Sequence, residues 1–99
     1  MPMDPTEVEL QASALDVIRS LARGDGLDLA AAERLKQALH LAEQAWSNST
    51  TISKSAANLF VDLAWGIDSQ SYAYRGDEAE RIRTFAQEVA DLVRVCVAI

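Results

Sequence analysis

Residues 52–67 read ISKSAANLFVDLAWGI, and their apolar side chains cover more of a helix surface than contact with one core requires. At about 100° per residue they form two neighbouring stripes. The first stripe consists of Ile52, Ala56, Leu59, Phe60, Leu63 and Ile67. The second consists of Ala57, Val61, Ala64 and Trp65. The segment is therefore predicted to be a helix that is either central in its own fold or pressed against another chain.

Three further segments show helical periodicity, and each is bounded by residues that start or stop helices. The predicted helices span approximately residues 5–23, 29–47, 53–67 and 78–97 of a single domain over residues 1–99. Asp28 and Asp77 are predicted to cap the second and fourth helices, with Glu80 completing the second of these caps. Gly24 and Gly26 favour an end to the first helix, because glycine adopts the left-handed conformation that a helix end often needs.

The sequence also predicts which face of the first helix is buried and where the third helix can end. Val8, Leu15, Ile18 and Ala22 are predicted to form the inner face of the first helix. The third helix can end at Gly66 or continue toward Tyr72, and the sequence does not decide between them. Residues 68–76 are predicted to form the longest loop.

The predicted fold class is all-α, an up-down-up-down four-helix bundle or a similar small helical domain, because short connections favour antiparallel neighbours. A homodimer is expected as well. The second stripe of helix three and the apolar end of the chain, residues 95–99, would form an unusual exposed patch on a monomer. The alternative is that helix three is flanked on both sides within one chain.

Composition limits the classes of partner. The chain has 99 residues, a net charge of -6 and nine scattered basic residues, so neither nucleic acid nor an anionic membrane is favoured. The first residues lack the features of a secretory signal, so a cytoplasmic location is expected. Cys96 is the only cysteine, which excludes an internal disulfide and a multi-cysteine zinc site. No cofactor, metal site or catalytic residue is assigned from the sequence.

The favoured function is a small acidic protein-interaction module, which would act as an adaptor, a regulator, or an inhibitor of the immunity or antitoxin type. Its contact residues are predicted to be Ala57, Val61, Trp65, Tyr72 and Tyr74, since aromatic and apolar side chains dominate binding energy at protein interfaces. The competing interpretation of the two tyrosines is that they cover the open end of the bundle.

The alternative function is a small all-α enzyme. Arg34 and His40 have the spacing Arg-x5-His, which resembles the Arg-x4-6-His motif of HEPN ribonucleases. That resemblance implies a dimeric ribonuclease that uses these two residues, although Leu35 stands where that family usually has a polar residue. A second comparison is with all-α nucleoside triphosphate pyrophosphohydrolases, which bind magnesium through carboxylates on facing helices. Asp62 would be the carboxylate of interest, since it lies on the narrow polar strip of helix three.

Overall fold

Four helices make up nearly all of the computed structural model, which describes residues 5–46 and 54–97. They are α1 (Pro5–Ala22), α2 (Leu29–Trp46), α3 (Lys54–Gln70) and α4 (Gly76–Val97). A 3₁₀ turn at Ser71–Ala73 connects α3 to α4, and the described ranges contain no strand. The all-α prediction is confirmed. Residues 47 and 53, which the sequence placed at helix ends, and residues 98 and 99 of the apolar end of the chain lie outside the described residues.

Local signals explain where α1 ends and α2 begins. The N–H of Gly24 donates to the Leu21 carbonyl at 3.1 Å, and the N–H of Asp25 donates to the Ser20 carbonyl at 3.0 Å. This pair of bonds is a Schellman motif, and Gly24 has the positive φ of 81° that the motif requires. Asp28 then accepts from the N–H groups of Ala30 and Ala31 at 3.0 and 3.1 Å. The predicted N-cap at Asp28 is confirmed.

α3 continues through Gly66 to Gln70, so the prediction of a long loop over residues 68–76 is wrong. Serine hydroxyls at this end bond back to carbonyls three residues earlier. Ser69 donates to Gly66 at 2.9 Å and Ser71 donates to Asp68 at 2.6 Å. Because Ser71 is fully buried, these bonds let the chain tighten into a 3₁₀ turn without leaving a hydroxyl unsatisfied.

The helices form two antiparallel hairpins, α1 with α2 and α3 with α4, that pack side by side. α1 also packs on α3, and α4 also packs on α2. α2 and α4 run parallel, since Leu27 bonds to Glu78 near their starts and Lys36 bonds to Glu88 further along. α2 and α3 lie diagonally, with no backbone contact between their described residues. Short connections are expected to make successive helices antiparallel neighbours. This holds for α1 with α2 and for α3 with α4, but not for α2 with α3.

The core takes one stripe from every helix. From α3 it takes Ala56, Phe60, Leu63 and Ile67, which is the first stripe apart from half-buried Leu59 and from Ile52, which lies outside the described residues. The other three helices contribute Leu10, Val17, Leu21, Leu35, Leu39, Ala42, Ile82, Phe85 and Val89, among others. The aromatic ring of Trp46 packs edge-on against Phe60 with centroids 6.2 Å apart. Of the second stripe of α3, Ala64 packs against this core, and Val61 and Trp65 do not contribute to it.

The inner face of α1 differs from the prediction. Leu10, Ala14, Val17 and Leu21 are buried, whereas Val8, Leu15 and Ala22 are exposed and Ile18 is half-buried beside the core. α1 carries two apolar stripes side by side, and the small polar residues Ser13 and Ser20 are buried together with one of them. Both hydroxyls are satisfied by carbonyls, Ser13 through Glu9 and Leu10 and Ser20 through Gly26, so burying them costs little.

One end of the molecule is held by a cluster that we call the junction, formed by Leu21, Gly26, Leu27, Tyr74 and Glu78. The Tyr74 hydroxyl donates to the Leu21 carbonyl at 2.7 Å and accepts from the N–H of Gly26 at 3.0 Å. The N–H of Leu27 donates to Glu78 Oε1 at 2.7 Å. These bonds connect the loop of the first hairpin to the loop and helix of the second, so the junction fixes how the two hairpins meet.

We expect the two glycines of the first loop to respond differently to alanine. Both have positive φ, 81° at Gly24 and 83° at Gly26, so each substitution carries a backbone cost of about 1–2 kcal/mol. A Cβ at Gly26 would also lie 2.7 Å from Glu78 Oε1, whereas a Cβ at Gly24 meets nothing within 4 Å. Gly26→Ala should therefore destabilise the protein by about 2 kcal/mol more than Gly24→Ala, since Glu78 must release Leu27. Urea unfolding followed by circular dichroism measures the difference.

The Glu78→Ala background supplies the control. There the penalty of Gly26→Ala should fall to that of Gly24→Ala, because the crowded carboxylate is gone. Equal destabilisation by the two glycine substitutions in the parent protein would contradict the role given to Glu78.

Candidate interaction surface

The second stripe of α3 faces solvent. The side chains of Val61 and Trp65 are 76% and 73% exposed, and Ala57 and Ala64 are half-buried at the edge of the stripe. The other helices therefore do not enclose α3, and of the two predicted alternatives the central helix is excluded within the described residues. We use the name α3 face for Ala57, Val61, Trp65 and Tyr72.

Tyr72 extends this face beyond the end of α3. It lies in the 3₁₀ turn with 78% of its side chain exposed. The guanidinium of Arg83 lies over its ring, 5.9 Å from the centroid, and Arg83 also pairs with Glu80 at 2.8 Å. A cation over an aromatic face is attracted by the ring quadrupole. The aromatic ring is thus oriented by α4 while one of its faces stays open to a partner.

The α3 face exposes a substantial apolar area to solvent. An aromatic side chain presents about 150–250 Å², so Trp65, Tyr72 and Val61 together expose on the order of 400 Å². The largest contiguous apolar patch on a typical soluble monomer is about 300–600 Å², and such a patch is often a functional contact. Among the predicted contact residues, Val61, Trp65 and Tyr72 therefore form an accessible apolar surface, with Ala57 at its edge.

Tyr74 has a different place from the other predicted contact residues. It is half-buried, and its hydroxyl is bonded within the junction. Its role agrees with the competing interpretation, in which a tyrosine covers the end of the bundle. We therefore leave Tyr74 out of the α3 face, because a partner that used its hydroxyl would have to break two internal hydrogen bonds.

Sequence reasoning missed two exposed apolar residues on the neighbouring helix. Val8 and Leu15 on α1 are 49% and 46% exposed, although both were predicted to be inner residues. The signal was present in the sequence: Leu10, Ala14, Val17 and Leu21 form an unbroken apolar stripe, whereas Arg19 interrupts the stripe that carries Val8 and Leu15. Val8 and Leu15 are therefore further apolar side chains that α1 exposes to solvent.

Arg34 and His40 are not brought together. Arg34 points toward α1, where its guanidinium bonds to both carboxylate oxygens of Glu9 and to Asp16 at 3.0 Å. His40 instead lies 3.9 Å from Glu43 on its own helix. The hydrogen bond from Arg34 lowers the pKa of Glu9, and the same bond with Glu9 raises the pKa of Arg34. In one chain Arg34 therefore holds α1 to α2 rather than facing His40.

Asp62 lies exposed on α3. Within residues 5–46 and 54–97, no three His, Cys, Asp or Glu side chains are grouped closely enough to hold a metal ion. Cys96 is buried, and its thiol donates to the Leu39 carbonyl at 3.3 Å. Burial raises the pKa of Cys96 to about 11, so its thiol is protonated at neutral pH.

Comparisons of the chain with protein-family models, curated proteins and solved structures found no match. Across the described residues, no helix has the combination of length and apolar content that crossing a membrane requires.

The contrast between the two tyrosines gives a prediction. Tyr74→Phe should lower the free energy of unfolding by about 1–3 kcal/mol, because it removes two hydrogen bonds of the junction and leaves the N–H of Gly26 without its partner. Tyr72→Phe should change it by less than about 0.5 kcal/mol, since that residue is exposed. Chemical denaturation of both variants measures this. A destabilisation by Tyr72→Phe equal to that of Tyr74→Phe would contradict the assignment.

Proposed function

We propose that this protein is a small acidic helical interaction module that forms a homodimer through its α3 face. The observation that carries the proposal is the exposure of Val61 and Trp65 on a helix whose opposite stripe already fills the core. A dimer made in this way would act as an adaptor, a regulator or an inhibitor by presenting the rest of its surface to another protein.

The energetic balance supports association. Burying on the order of 400 Å² of apolar surface contributes about 10 kcal/mol per protomer at ~25 cal/mol per Å². Two protomers together set about 20 kcal/mol against about 4–15 kcal/mol of lost translational and rotational freedom, to which the ordering of interface side chains adds. A standard interface buries about 800 Å² per partner, so the α3 face would supply its apolar centre and the surrounding residues its rim. Trp65 and Tyr72 are aromatic anchors of the kind that dominate binding energy.

The spacing of charges along α3 suits self-association. Lys54, Val61 and Asp68 follow one another at intervals of seven residues, so they share one side of the helix. In an antiparallel pairing of two α3 helices centred on Val61, Lys54 would come alongside the partner's Asp68. Two-fold symmetry would form this pair twice. The proposed contact is therefore apolar at its centre and oppositely charged at its ends.

The test compares two double variants by size-exclusion chromatography with light scattering. Val61→Ser with Trp65→Ser should convert dimers to monomers while the helical circular dichroism signal is retained, because both residues lie outside the core. Leu29→Ser with Leu41→Ser removes two exposed leucines, 71% and 56% accessible, from α2 and should leave the dimer intact. Dimers that survive the first variant, or are lost equally in the second, would contradict the α3 face as the contact.

Charge reversal tests the pairing geometry independently. Lys54→Asp should weaken the dimer by placing two carboxylates side by side, and Lys54→Asp combined with Asp68→Lys should restore it. Failure of the second substitution to restore association would exclude the antiparallel pairing centred on Val61.

A further inference from the structure

A groove of about 650 Å³ runs between α2 and α4, on a different side of the molecule from the α3 face. Leu27, Leu29, Ala32 and Phe85 give it apolar walls. It follows α4 from Asp77 to Glu88, which is about 16 Å at ~1.5 Å per residue. Its volume falls in the range of about 300–1,000 Å³ that is typical of binding clefts.

The most exposed wall residue is Leu29, with 71% of its side chain accessible at the start of α2. The small residue Ala32 follows it on the same helix, and Thr84 lies across the groove on α4. Short side chains at these positions leave room between the two parallel helices. The helices are joined by the bond of Leu27 to Glu78 at one end and by that of Lys36 to Glu88 further along.

The charged side chains along the groove are mostly acidic. Four carboxylates line it, from Glu33, Asp77, Glu80 and Glu88, against two cationic groups. One of these cations, Lys36, is shared between Glu33 at 3.2 Å and Glu88 at 3.3 Å.

The other cation, Arg81, is held by Glu78 at 3.2 Å. Both cations of the groove are therefore already engaged by carboxylates, and four carboxylates against two cations leave its lining with an excess of two negative charges.

We propose that this groove binds a basic amphipathic helix of a partner protein. Leucine-like side chains on one face of that helix would lie against Leu29 and Phe85, and its lysines or arginines would pair with the carboxylates of the rim. About three helical turns match the length of the groove. The proposal deepens the proposed interaction function by giving the chemistry of the partner.

Charge argues against a second copy of this chain as the occupant. Each copy carries a net charge of -6, so seating one acidic chain in the acidic groove of another would place like charges together. The α3 face belongs to a helix that lies diagonally across the bundle from α2. A dimer formed there leaves both grooves open, and two basic helices can bind one dimer.

The probe is a fluorescent synthetic helix of about 14 residues, with leucines at positions i, i+3, i+4 and i+7 and lysines elsewhere, titrated with the full chain in anisotropy measurements. A matched peptide with glutamates in place of the lysines is the charge control. The lysine peptide should bind at least about tenfold more tightly than the glutamate peptide. Its affinity should fall as salt rises from ~50 to ~500 mM, because the rim pairs are exposed to solvent.

Two groove variants and one variant of the α3 face locate the binding site. Leu29→Ser removes a wall residue, and Thr84→Trp fills the groove from an exposed position; each should raise the dissociation constant of the lysine peptide about tenfold. Val61→Ser with Trp65→Ser should leave that constant unchanged even though it produces monomers. Circular dichroism checks that each variant is folded.

The outcomes separate the groove from the dimer. Equal binding of both peptides, or binding that Thr84→Trp leaves unchanged, would overturn the groove proposal while saying nothing against the dimer. Loss of peptide binding only in the variant of the α3 face would also overturn it, because the peptide would then occupy that face. Dimers that persist in the variant of the α3 face would instead contradict the proposed function.

Discussion

The apolar surface of α3 is wider than the core of this bundle can cover. In the observed arrangement α3 packs on α1 and α4 but lies diagonally from α2, so two helices and the core cover it on three sides. The stripe through Phe60 and Leu63 is buried in the core, and among the described residues no helix covers the side that carries Val61 and Trp65. Leaving that much apolar surface in water is costly, which is the reason for proposing a partner.

The two surfaces differ in how they are built, and the difference suits different partners. The α3 face is exposed and aromatic, with Lys54 and Asp68 on the same side of the helix, which is why we propose a symmetric copy as its partner. The groove between α2 and α4 is concave with an acidic rim, which fits a basic segment. Both depend on the junction around Tyr74 and Glu78, because those hydrogen bonds set the relative placement of the two hairpins.

Features decided by nearby residues could be predicted from the sequence, and features decided by distant ones could not. The cap at Asp28 and the two stripes of α3 follow from local spacing, and both are observed. The inner face of α1 was misjudged because two stripes of similar hydrophobicity compete there, and only packing against α2 and α3 selects between them. The groove could not be predicted from the sequence for the same reason, because it forms only where α2 and α4 pack as neighbours.

The most direct test of the central claim asks whether Trp65 is covered in solution. Trp46 and Trp65 are the two tryptophans of the chain, so a Trp46→Phe variant makes fluorescence specific to the α3 face. At high protein concentration its emission should be blue-shifted and poorly quenched by acrylamide, and dilution should make it red-shifted and readily quenched as the dimer dissociates. Emission that is red-shifted and fully quenched at every concentration would show that no second copy covers Trp65.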